Sequence, residues 1–120
     1  MSATFRAEPD FDGDHGAPHP RLALDAVATP ESYEIRLAGE LDLATRSRLV
    51  AALAGGRQAS TVIDLGGVTF MDCSGYGSIV ASRSIVEGDG RSLTLRGQSG
   101  QPARLLQLIA RMESGHTAEH

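Results

Sequence analysis

Asp64-Leu-Gly-Gly-Val-Thr-Phe-Met-Asp-Cys-Ser-Gly-Tyr-Gly77 is the stretch on which the reading of this 120-residue chain turns. Just before its end lies a short loop, and on either side of that loop the pattern changes period. Upstream, Thr61-Val-Ile-Asp-Leu65 is a compact β-branched run bounded by Gly66 and Gly67, the pattern of a central strand covered on both faces. Downstream, Tyr76, Ile79, Val80, Arg83 and Val86 fall near one helical stripe that ends around Gly88-Asp-Gly90. Asp72 is well typed as the N-cap of that helix, because its carboxylate can accept from the first-turn amides and suits the positive end of the helix dipole. Gly75 and Gly77 each cost a helix about 1 kcal/mol relative to Ala. Their presence asks for a close approach of another backbone, either a docked partner or a tightly packed neighbour, and spacing does not choose between the two.

Working outward, Leu22, Leu24 and Ala26 alternate with polar neighbours, and after the turn-prone Ala28-Thr-Pro30-Glu-Ser32 a second alternation follows at Tyr33, Ile35 and Leu37. Two paired strands are expected. Gly39-Glu40-Leu41-Asp42 interrupts the alternation, and Leu49, Val50 and Leu53 recur at helical spacing before Gly55-Gly56. Ser92-Leu-Thr-Leu-Arg96 alternates as a fourth strand, and Pro102 opens a third helix with Leu105, Leu106, Ile109 and Met112 facing inward. The order is β-β-α-β-α-β-α, an α/β layer of helices on a mixed sheet. Residues 1–20, rich in Asp, Gly, Pro and His, and residues 113–120 are expected to be disordered tails flanking a domain over 21–112.

Composition narrows the function. A formal net charge of -4 argues against nucleic acid, which needs a surplus of Lys and Arg to neutralise phosphates. No apolar run approaches a membrane span, so no direct membrane contact is expected, and the N-terminus lacks the regions of a signal peptide. The lone cysteine, Cys73, forms no internal disulfide, which suits a reducing cytoplasm. His15 and His19 stand four apart, but Pro18 and Pro20 oppose a helix there, and His116 and His120 lie in the other tail, so no metal is expected. With all four histidines in the tails, a Cys-His nucleophile is disfavoured, and Ile79 stands where a Cys-x5-Arg phosphate loop requires arginine. Gly75-Tyr-Gly77 lacks the third glycine of a dinucleotide loop and no Gly-Lys-Ser/Thr occurs, so no cofactor is expected. The chain reads as a binding protein and not an enzyme.

The quoted stretch resembles the signature of the STAS domain family, in which a strand ending in Asp-Leu precedes a Phe-Met/Ile-Asp-Ser-Ser-Gly-Leu-Gly helix start. Leu37-Ala-Gly-Glu-Leu-Asp42 is similar to the family's second recurrent segment. The resemblance implies a mixed sheet of four or five strands backed by helices. For stand-alone bacterial members it implies an anti-sigma-factor antagonist that binds a serine-kinase-type anti-sigma factor and so frees a sigma factor for transcription. By the match, Asp42, Asp72, Cys73, Ser74, Gly75 and Gly77 form the partner-facing surface. The alternative within the family is an accessory subunit or sensor module of a transport or signalling complex.

Two departures stand out. The family's phosphoacceptor serine is replaced by Cys73, and a thiol takes no phosphate from an ordinary serine kinase. Three readings of the switch remain open: Cys73 as a silent serine substitute, Cys73 as a redox switch at a helix N-terminus, or phosphorylation of Ser74, about 100° further round the helix. The chain also lacks the further β/α unit with which many members continue, which puts a fifth strand in question and leaves an apolar edge suited to a homodimer.

Overall fold

The computed structural model describes the backbone of residues 3–5 and 21–118 and the side chains of residues 21–113. Strands β2 (Leu22–Ala28) and β3 (Ser32–Leu41) form the expected antiparallel pair, with Leu24 opposite Leu37 and Ala26 opposite Ile35. The hairpin closes through Thr29, whose amide donates to the Ser32 carbonyl at 2.8 Å while its hydroxyl accepts from the Ser32 amide at 3.0 Å. Strands β4 (Ser60–Met71) and β5 (Ser92–Arg96) follow in parallel, and β1 (Ala3–Phe5) adds antiparallel to β2. The result is a five-stranded mixed sheet in the order β1-β2-β3-β4-β5.

Between the parallel strands run α1 (Arg46–Ala52), which tightens into a 3-10 turn at Leu53–Gly55, and α2 (Cys73–Gly88). These two helices pack against each other on one face of the sheet. The helix α3 (Gly100–Ala118) packs on β4, whose distal half outruns β5. Alternate residues of the strands enter the core, including Leu22, Leu24, Tyr33, Ile35, Ile63 and Leu65, and meet Leu49, Leu53, Ile79 and Val86 from the helices. The sequence order of strands and helices is as expected, with β1 added in front.

Several expectations change once the layers are assembled. β4 is not covered on both faces: Thr61, Ile63 and Leu65 are buried, whereas Val62 and Asp64 on the other face are only half-buried. That outer face carries ions, with Arg96 bonded to Glu34 and to Asp64 (3.2 Å) and Arg36 to Glu34 (2.9 Å). Nor does β4 stop at Gly66-Gly67, or β3 at Gly39; both strands continue through two register shifts. Glycine is needed there because a Cβ on Gly67 would stand 2.7 Å from that of Ala38, and one on Gly39, at φ +112°, would stand 2.2 Å from the Arg21 carbonyl oxygen.

The inward stripe of α2 is also not the one its large residues suggest. Gly75, Ser78, Ile79, Ser82 and Val86 are buried, Tyr76 is half-buried, and Arg83 and Val80 (44% exposed) face outward. Two serines can occupy a core position because each hydroxyl bonds its own helix: Ser78 to the Gly75 carbonyl at 2.6 Å and Ser82 to the Ser78 carbonyl at 2.7 Å. In α3, Leu105 and Leu106 pack on the core and Ile109 is half-buried, but Met112 is 62% exposed. The helix runs on through Glu113 to Ala118, where a tail was expected, since nothing from Ser114 to Ala118 includes a proline to break it. Ala3–Phe5 likewise departs from the tail expectation by pairing with β2, which supplies a fifth strand; the rest of residues 1–20 lies outside the described residues.

Candidate partner-binding site

The parallel strands β3 and β4 end side by side, with Leu41 opposite Met71 and the Asp72 amide donating to the Leu41 carbonyl at 3.4 Å. Two helices start just beyond, so their first turns are neighbours at one end of the sheet. Asp72 caps α2 as its residue type suggests: its backbone is extended (φ -109°, ψ -174°) and its Oδ1 accepts from the Gly75 amide at 2.8 Å. Cys73, the first residue of α2, is exposed with a free thiol, and Ser74 behind it is half-buried.

The two glycines separate. A Cβ on Gly75 would lie 2.0 Å from the Leu41 carbonyl oxygen and 3.0 Å from Cγ of Met71. Its glycine is therefore dictated by helix-on-strand packing and not by a partner. Gly77 is exposed and a Cβ there would meet nothing within 4 Å, so no internal contact accounts for it. It opens instead onto a shallow, largely apolar groove between α1 and α2, lined also by Arg46, Ser47, Val50, Ala51, Ser78 and Ala81.

Asp42 was expected at the partner-facing surface, and the structure places it underneath, at 7% exposure. Its Oδ1 accepts from the amides of Ala44 (3.1 Å) and Thr45 (3.2 Å), and its Oδ2 takes the guanidinium of Arg21, which also holds Glu40 at 2.9 Å. The Thr45 hydroxyl accepts from the Asp42 amide at 3.0 Å and donates to the Glu40 carbonyl at 2.8 Å. A carboxylate with all this to do is spent on holding the turn into α1. At the crest of that turn stands Leu43, 63% exposed, which the sequence pattern did not single out, nor Arg46, while Val50 was read only as part of the apolar spacing of α1. The available signal for Leu43 was an apolar residue in the one segment where strand alternation stops and helical spacing has not begun.

Among the described residues no group of three His, Cys, Asp or Glu side chains is placed to hold a metal ion, and no helix is long and apolar enough to cross a membrane. The side chains of all four histidines lie outside the described ones. Away from this end, the Gly66 amide holds the Asp64 carboxyl below its usual range, helped by Arg96. Burial pushes the Tyr76 hydroxyl up, with Glu113 adding to the effect.

A family model described as Mlab, STAS domain, matches residues 24–112, which include both recurrent segments and the whole turn from Asp72 to Gly77. The chain belongs to the STAS domain family. Among curated relatives of this STAS protein are the anti-sigma-B factor antagonists of Staphylococcus epidermidis and Staphylococcus aureus, each 27% identical over 101 residues, covering 82% of the chain and 94% of the relative. Among solved structures, the anti-sigma factor antagonist SpoIIAA in its unphosphorylated form is 26% identical with a TM-score of 0.54, over 71% of this chain and 82% of that one. An anti-sigma factor antagonist from Mycobacterium paratuberculosis shares the fold at a TM-score of 0.65 and 19% identity, over 82% and 85% of the two chains.

Proposed function

We propose that this STAS protein is an anti-sigma-factor antagonist, docking onto a serine-kinase-type anti-sigma factor through the first turn of α2, the Leu43 turn and the groove between α1 and α2. The observation that carries the reading is the exposed Cys73 on a firmly capped helix start, beside an exposed Leu43 and an apolar groove. An apolar residue held on a rigid turn loses little freedom on binding, which makes Leu43 suited to anchor a partner. The extent of the match to curated antagonists supports the same reading. In this proposal the contacts come from Leu43, Cys73, Ser74 and Gly77, while Asp42, Asp72 and Gly75 shape the surface from below.

Cys73 removes the acceptor hydroxyl from its position, so the kinase activity of the partner does not switch binding off there. The test is the affinity of the purified protein for each serine-kinase-type anti-sigma factor of its host, with and without a thiol reductant. Tight binding to one of them that is indifferent to redox state, retained in C73S and weakened at least tenfold in C73D, is the expected result. Binding lost on oxidation makes the thiol the switch, and phosphate found on Ser74 after incubation with partner and ATP transfers the switch there. Binding to none defeats the antagonist reading. A second reading is the accessory subunit or sensor module of a transport or signalling complex, the alternative that the family resemblance implies. Co-purification with a membrane ATPase or permease in place of an anti-sigma factor is its test.

A further inference from the structure

Gln101, in the first turn of α3, makes two hydrogen bonds with one backbone residue: its Oε1 accepts from the Met71 amide at 2.8 Å and its Nε2 donates to the Met71 carbonyl at 2.8 Å. Met71 is the last residue of β4, fully buried, and directly precedes the cap Asp72. β5 pairs with β4 only up to Asp64 opposite Arg96, so on that side Met71 has no strand to bond. A primary amide has the donor and acceptor of a peptide group, and Gln101 stands in for one residue of the missing strand. Beyond the turn the same helix reaches back, where the Tyr76 hydroxyl donates to the Glu113 carboxylate at 3.4 Å. α3 thus grips the chain on both sides of Asp72–Gly75, at Met71 and at Tyr76.

We infer that Gln101 is a positioning residue for the docking turn, with α3 acting as a brace that fixes where Cys73 and Ser74 are presented. For its effect on binding this rests on the proposed antagonist role; for its effect on the turn it does not. The substitution Gln101→Met keeps the length of the side chain and removes both hydrogen bonds. Leu93→Ala, in the core on β5, serves as the control, compared at urea concentrations that give the two variants equal global stability. By amide hydrogen exchange of the full chain, Q101M is expected to speed exchange at Met71, Gly75 and Tyr76 on the order of tenfold over L93A. Amides of the β2–β3 hairpin, such as Ile35, should match the control. If Q101M does not fold, Q101E, which keeps the shape but loses the donor to the Met71 carbonyl, is expected to speed the same three amides. Equal rates in variant and control, or acceleration spread evenly over the sheet, overturn the brace. With an anti-sigma factor that binds the unaltered protein, Q101M should bind at least fivefold more weakly and L93A unchanged; equal binding by Q101M overturns the link to docking. If the unaltered protein binds no anti-sigma factor, the antagonist reading fails while the exchange experiment still decides the brace.

Discussion

At the scale of single residues, Gly75 and Gly77 look alike in the sequence and differ in consequence. Gly75→Ala drives a methyl into the Leu41 carbonyl and should cost about 3 kcal/mol, because backbone cannot give way as a side chain does. Gly77→Ala meets nothing and should raise stability by up to about 1 kcal/mol from helix propensity. Urea unfolding of the two variants checks both signs, and only G77A is predicted to weaken partner binding while leaving the fold intact. Asp64 supplies a pH dependence. Its folded carboxyl titrates below the ordinary 3.8, chiefly because the Gly66 amide donates to the ionised form. The stability it confers is present above that ordinary value and is lost as pH falls through the lowered one. The acid limb of a stability-pH curve should therefore flatten in D64N. At this scale Asp72 was legible, since capping needs only a local pattern. The position of Asp42 was not, because its ion-pair partner is Arg21, just before β2 and twenty-one residues earlier.

Among the elements, the turn from Asp42 to Thr45 shows how a short polar segment sets a helix. Five side-chain hydrogen bonds tie Asp42 and Thr45 to each other, to Ala44 and to Glu40 before α1 begins. Asp42→Ala should destabilise by about 2 kcal/mol in urea unfolding, and D42N by less because an amide oxygen still accepts. Strand pairs, helix order and the α2 cap could be read from periodicity and residue type. The limits of β3 and β4 could not, since they run through glycines whose tolerance comes from the partner strand, and α2's buried face could not, since serines that bond their own helix look polar in any local reading.

For the whole molecule, the sheet is joined to its helical layer at Tyr33. The ring lies in the core so close to Gly56 that a Cβ there would stand 2.4 Å from it, and the hydroxyl donates to the Ala52 carbonyl at 2.9 Å. Burial pushes this hydroxyl's pKa above 10.0. Its contribution is complete below that value and is lost as pH rises through the higher folded one, so stability should fall in alkali. Y33F should cost about 1 kcal/mol at neutral pH and lessen that alkaline fall in a denaturation series. The fold class followed from the order of elements; what the sequence did not disclose was that both crossover helices pack on one face and leave charges on the other. The same assembly leaves the only cysteine of the chain out in solvent at the first turn of α2. A maleimide fluorophore can therefore be attached at one defined point of the unaltered polypeptide, and its emission becomes a reporter of whatever settles on that end of the sheet.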